Sequence, residues 1–197
     1  MLSGETANGP YFEKAVQVMA KTCCEAESSR NYYFLYQSVR NSILSSKGYL
    51  SVGESMASSA VKTALDIKAK LILVLSETGR MANYIAKFRP AVSVLCMTPD
   101  ETTARQLSGC LSGVHTCKVD SLAKAKELIE ELSYELVQAG LVQSGDCMVV
   151  CGGRMAGMKE QIRAEKITEG KKYGHIITGE NYYFDAKMLF SFSPDEF

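Results

Sequence analysis

The chain has 197 residues, 46% of them hydrophobic and 22% charged, with 22 Lys+Arg balanced by 22 Asp+Glu. This is the make-up of one ordinary soluble domain with room for an appendage. Zero net charge without a basic run excludes the electrostatic footprint of a nucleic-acid binder, and no apolar stretch reaches the length of a membrane span. The N-terminus has no basic region followed by an apolar run, so no signal peptide is expected.

In chain order, Met1-Leu2 reads as the end of a strand, "SGETANGP" as the turn after it, and Tyr11 to Tyr36 as one long helix. In that helix Val16, Met19, Ala20, Cys23 and Ala26 recur at three- and four-residue steps. "NSILSSKGYLS" reads as a linker. A second helix follows, with Ala57, Ala60, Val61, Ala64 and Leu65 on one face. Leu71–Leu75 is a continuous apolar run, the mark of a strand covered on both faces. "ETGRMANYIAKFRP" is turn plus helix, with Met81, Tyr84, Ile85 and Phe88 in helical register and Pro90 as the stop. "AVSVLCMT" is the next strand. Thr98-Pro99-Asp100-Glu101 reads as a capping box with Pro at the first helical position, opening the helix "ETTARQLSG". "VHTCKV" is a third strand. Leu122, Ala125, Leu128, Ile129, Leu132 and Leu136 mark an amphipathic helix, "DCMVVCGG" is a fourth strand, and "EQIRAEKI" is a fifth. The aromatic-rich segment after Thr168 reads either as a hairpin around Thr178-Gly179-Glu180-Asn181 or as a disordered tail.

Strands alternating with helices through short connections predict an α/β fold, a mostly parallel layered sheet of about five strands with helices on both faces. In such sheets ligands bind beyond the C-terminal strand ends, which directs attention to "SETGRM" (76–81) and "CGGRMAGMKEQIR" (151–163). In the first, Ser76, Thr78 and Gly79 stand at a helix N-terminus, where free N–H groups, hydroxyls and a close backbone approach suit a phosphate. The simpler reading is that Ser76 or Thr78 only caps the helix. Arg80 adds charge there or points at solvent or a partner. Glu77 opposes an anion: at about 6 Å from a phosphate charge it costs roughly 2–3 kcal/mol at an effective dielectric near 20. In the second loop Gly152, Gly153 and Gly157 give flexibility. Arg154 and Arg163 could clamp a phosphate bidentately or serve as plain surface arginines.

The seven cysteines are odd in number, lack a CxxC and sit partly inside strands (Cys96, Cys147, Cys151). That pattern fits a reducing, cytoplasmic compartment with thiols used as small apolar side chains. A thiol enzyme using Cys110 or Cys117 with His115 is the sharper alternative. No zinc spacing, P-loop, HExxH, GxSxG or partnered carboxylate pair is present, so no metal site is expected. After residue 45 the chain reads as a binding or regulatory layer.

"MLSGETANGPY", "LVLSETGRMANYIAKFRP", "MTPDETTARQLS", "GDCMVVCGG" and the closing R-x-x-x-I pattern (Arg163 to Ile167), in this order and spacing, resemble the C-terminal region of pyruvate kinase, from Met1 to about Ile167. The resemblance implies that residues 1–40 are a remnant of strand eight and the last helix of a catalytic (β/α)8 barrel, 41–51 a linker, 52–167 the C-terminal α/β allosteric and assembly domain, and 168–197 an atypical extension. It places Ser3 and Glu5 at the rim of the enolpyruvate site, beside Thr6, orphaned here without the barrel. The phosphoryl-transfer lysine, the Mg2+ carboxylates and the K+ ligands lie in that barrel. Mg2+, K+, ADP/ATP and phosphoenolpyruvate are therefore implied only for the intact enzyme, with none bound by this chain alone.

The resemblance also implies a sugar-phosphate effector site at Ser76, Thr78, Gly79 and Arg80 with Gly152, Gly153, Arg154 and Gly157, and homo-oligomers, tetramers in the family. Three departures bear on the effector. Glu77 stands where sugar-bisphosphate-responsive members often have Lys, Met81 replaces a hydroxyl residue, and Gly153 replaces a common Trp. The expected function is thus the regulatory and assembly part of a glycolytic kinase, inactive in isolation, with a stand-alone sensor of phosphorylated metabolites as the alternative. The helix from Tyr11 is expected to expose its apolar stripe.

Overall fold

A computed structural model describes residues 2–152 and 161–174, and the chain divides into two compact units. The described part of the first unit, residues 2–31, holds α1 (Gly4–Ala7) and α2 (Phe12–Ser28). Leu2 lies outside any strand; a strand needs a neighbour to pair its backbone groups. The "SGETA" turn winds into a single helical turn instead, closed by the Thr6 hydroxyl donating to Ser3 O at 2.9 Å. Phe12, Val16 and Val18 of α2 are exposed.

The expectation of one helix from Tyr11 to Tyr36 is corrected. α2 stops at Ser28, where Ser28 and Ser29 hydroxyls bond back to the carbonyls of Glu25 and Ala26 and compete with the helical ladder. A separate helix, α3 (Tyr32–Lys47), belongs to the second unit. It runs through the first seven residues of the expected linker because Ile43 finds core to pack into. Gly48, at φ 77°, ends it.

The second unit is built on five strands: β1 (Leu71–Leu75), β2 (Val94–Thr98), β3 (Val114–Lys118), β4 (Cys147–Gly152) and β5 (Gln161–Lys166), in the order β3-β2-β1-β4-β5. All pairings are parallel except β4 with β5. Every residue of β1 and β2 is buried, as a parallel strand covered on both faces requires. Ile72, Val74, Val94, Cys96, Val149 and Cys151 point into a core shared with α4 (Val52–Asp66), α5 (Arg80–Lys87) and Leu107 of α6 (Glu101–Cys110). Leu71, Leu73, Leu95, Met97, Met148 and Val150 point the other way and are equally sealed. The remaining large buried stripe, Leu128, Leu132 and Leu136, lies on α7 (Ala125–Gln138).

α4 begins with a capping box. The Ser51 hydroxyl accepts from Glu54 N, and a Glu54 carboxylate oxygen accepts from Ser51 N at 3.1 Å. Glu54 is buried and also receives Lys87 Nζ at 2.6 Å, which ties the start of α4 to the end of α5. The Lys87 bond, then the Ser51 bonds, hold its carboxyl down to about 2. A second buried tie joins Tyr36 OH and Ser58 Oγ at 2.8 Å, with the Tyr36 ring 6.0 Å from Phe88.

The cap of α6 differs from its expected form. Thr98 ends β2, and the N-cap is Asp100, whose carboxylate accepts from Thr103 N at 2.7 Å. A carboxylate serves the positive helix end better than a neutral hydroxyl. The hydrogen bonds from Thr103 hold the Asp100 carboxyl below its usual range.

Candidate functional site

The strand order sets where a ligand can enter. From β1 the chain winds outward through β2 to β3, then returns to lay β4 on the opposite side of β1. The switch point lies between β1 and β4, and the crevice beyond their C-terminal ends is the favoured ligand position. At that edge Leu75 pairs with Gly152 in register. The first residue of the loop that begins at Ser76 and the last residue of β4 therefore lie at neighbouring strand ends. The sequence singled out both loops, and the topology brings their starting points together.

The first loop is tightly built. Ser76 is buried, and its hydroxyl accepts the N–H of Gly79 at 3.1 Å. Gly79 is buried at φ 67° and forms the N-cap of α5. A Cβ at Gly79 would lie 2.9 Å from both Leu107 Cδ1 and Thr103 Cγ2. Glycine is therefore required twice, by the left-handed backbone and by the close passage of α6. The hydroxyls of Thr98 and Thr103 donate to the Glu77 carbonyl at 3.4 and 3.5 Å, joining this loop to the β2–α6 connection.

These contacts divide the predicted residues by role. Ser76 closes the turn by accepting the N–H of Gly79, and the expectation that Ser76 or Thr78 caps the helix is corrected: the N-cap is Gly79, with no side-chain cap. Thr78 and Arg80 are exposed at the mouth. Arg80 joins none of the ion pairs among the described residues. Helix geometry leaves the N–H groups of Arg80, Met81 and Ala82 without an intrahelical acceptor. The anion-compatible set is thus the Thr78 hydroxyl, the Arg80 guanidinium and the first-turn N–H groups. Met81 is buried and packs in the core rather than at the mouth. Glu77 is exposed, so water weakens its opposition to an anion.

Sequence reasoning missed Thr98 and Thr103 as the residues that stitch the first loop to the β2–α6 connection. Their hydroxyl positions after β2 and in the first turn of α6 were the available sign. Gly152 is buried at the end of β4, opposite Gln161 of β5. Gly153, Arg154 and Gly157 lie outside the described residues, as does the hairpin expected around Thr178–Asn181. Arg163 stands in β5, 3.4 Å from Glu165. Ser3 is exposed in the first unit.

The thiol alternative finds no support. Cys117 is fully buried, and Cys110 is exposed at the end of α6. Burial lowers the basicity of His115, whose Nε2 has no hydrogen-bond partner. Burial also pushes the Cys96 and Cys151 thiols up to about 12, opposite to what a nucleophile needs. Among the described residues no three His, Cys, Asp or Glu side chains gather as metal ligands.

Comparison with known proteins points one way. The family described as pyruvate kinase, alpha/beta domain, matches residues 54–167. Pyruvate kinase of Dictyostelium discoideum is 38% identical over 161 residues, covering 80% of this chain and 31% of the relative. A crystal structure of a pyruvate kinase from Cryptosporidium parvum superposes with a TM-score of 0.74 at 32% identity, covering 85% of this chain and 32% of that one. A second structure of the Cryptosporidium parvum enzyme, in complex with ADP, gives 0.72 at the same identity, with 85% and 33% coverage. The chain spans about a third of the length of the curated relatives it matches.

Proposed function

Because this chain belongs to the pyruvate kinase family, we propose that it supplies the C-terminal regulatory and assembly region of an enzyme that transfers a phosphoryl group from phosphoenolpyruvate to ADP, giving pyruvate and ATP. The observation that carries the regulatory role is the pairing of Leu75 with Gly152 at the topological switch point. It sets the start of the loop that leads to Thr78 and Arg80 beside the end of β4, which supports a reading in which one sugar phosphate is bound there. Thr78 donates its hydroxyl and Arg80 its guanidinium to the phosphate, while the first turn of α5 adds backbone donors and its dipole. Ser76 and Gly79 hold the loop in shape. Gly153, Arg154 and Gly157 complete the site from the second loop. Glu77 disfavours a second phosphate group and selects for a monophosphate over a bisphosphate.

In the intact enzyme Ser3 and Glu5 border the enolpyruvate site, and the α/β domain contributes to a tetramer. Mg2+ and K+ serve the transferring phosphoryl group there. No step is assigned to either ion in this chain. The sealed thiols suit a reducing, cytoplasmic setting.

Two measurements test this reading. A coupled pyruvate assay with Mg2+ and K+ should give no turnover for the isolated chain; measurable turnover refutes that part. Titration calorimetry against hexose monophosphates and bisphosphates should show saturable binding. Thr78→Ala should weaken it about 10- to 100-fold, the loss of one charge-assisted hydrogen bond, and Glu77→Lys should strengthen bisphosphate binding. No heat of binding with any hexose phosphate overturns the effector role.

A further inference from the structure

The match to the family's α/β domain ends at Ile167, yet the chain keeps ordered contacts with the domain past that point. Ile167 is 1% exposed; its N–H donates to Asp146 O at 2.7 Å and its carbonyl accepts from Gly145 N at 2.8 Å. The residues that follow run against α7. Gly170, at φ 59°, passes so close that a Cβ there would lie 2.1 Å from the Glu130 carbonyl oxygen and 2.7 Å from Tyr134 N. Only glycine can occupy that crossing.

Three further contacts fix the segment beyond Gly170. Lys172 Nζ stands 3.4 Å from Glu135 Oε1, an ion-pair distance without hydrogen-bond geometry. The Tyr173 hydroxyl donates to Glu130 Oε2 at 2.6 Å, and Gly174 N–H donates to Glu131 Oε1 at 2.8 Å. Glu131 is 1% exposed and Ser133 2%, on a helix whose apolar stripe is already used by Leu128, Leu132 and Leu136. A buried carboxylate is expensive unless its oxygens are satisfied. The Gly174 N–H provides one such partner.

We propose that residues 168–174 are a latch that straps the start of the C-terminal extension onto α7 and closes that helix's acidic flank, Glu130, Glu131 and Glu135, to other chains. Gly170 is its fulcrum, and Lys172, Tyr173 and Gly174 are its fastenings. Released, the segment uncovers carboxylates that a basic surface could engage.

Carboxyl labelling of the full chain with a water-soluble carbodiimide and an amine, read by peptide mass spectrometry, tests the latch. In the unaltered protein Glu131 should label about tenfold more slowly than exposed Glu13 and Glu25, and the Gly174 amide should be protected from hydrogen exchange. Gly170→Ala, and separately the double change Lys172→Glu with Tyr173→Phe, should raise the Glu131 rate several-fold and remove the Gly174 protection. The double change alters only exposed side chains, so it decides the matter if Gly170→Ala fails to fold. Glu131 labelling as fast as Glu13 in the unaltered chain, or rates unchanged by the double variant, overturns the proposal.

Discussion

Glu54 offers the sharpest test of how the domain is held. Its carboxylate closes the α4 capping box through Ser51 and grips Lys87 at 2.6 Å, so one side chain links the helix that opens the domain to the helix that carries the candidate loop. Its carboxyl is lowered from 4.5 to about 2. A group with a depressed folded-state pKa contributes stability that is present above the unfolded value and is lost as pH falls through the folded one. The window here runs from pH 4.5 down to about 2. At about 1.4 kcal/mol per unit the shift corresponds to roughly 3 kcal/mol. Lys87 is 39% exposed, and water screens its attraction, so about 1–2 kcal/mol is the figure to expect. Equilibrium urea unfolding of the parent and of Glu54→Gln should therefore differ by about 1–2 kcal/mol at pH 7, with more than half of that difference gone by pH 3. A difference below about 0.5 kcal/mol at neutral pH, or one that does not change with pH, refutes the reasoning.

Three other outcomes follow from the same packing. Gly79→Ala should destabilise the domain by about 2–4 kcal/mol in urea, combining the left-handed penalty with the crowding against Leu107 and Thr103; a loss below about 1 kcal/mol would contradict the tight turn. Tyr36→Phe leaves the buried Ser58 hydroxyl without its partner and should cost about 1–2 kcal/mol, whereas a neutral result in the same unfolding assay would deny the hydrogen bond. Iodoacetamide at neutral pH should alkylate the exposed Cys23 and Cys110 quickly and spare Cys96, Cys117 and Cys151 until the protein is unfolded; rapid native labelling of Cys96 would contradict its burial.

The sheet was legible because burial on both faces writes itself into sequence. Leu71–Leu75 is uninterrupted, and its predicted bounds are those of β1. The amphipathic stripe of α7 was equally plain, since Leu128, Leu132 and Leu136 repeat at helical steps. Less legible were features decided by local competition. The break between α2 and α3 depends on serine hydroxyls that outbid the ladder, and periodicity does not register them. The cap of α6 slipped from Thr98 to Asp100 because both are good caps and only the path of β2 chooses between them. At the candidate site the hydroxyl pair was found but not its division of labour. Ser76 and Thr78 look alike in sequence, yet one is buried in the turn and the other faces the mouth. The stitching by Thr98 and Thr103 joins residues more than twenty positions from Glu77, beyond any local pattern.

Amide chemical-shift mapping of the isotopically labelled chain during titration with hexose monophosphates tests the effector role most directly. Saturable shifts centred on Thr78, Gly79, Arg80 and Gly152, moved to about 10- to 100-fold higher ligand concentration by Thr78→Ala, are the result predicted. Shifts scattered over the surface, or confined to lysines away from the switch point, would contradict a regulatory site at the junction of β1 and β4.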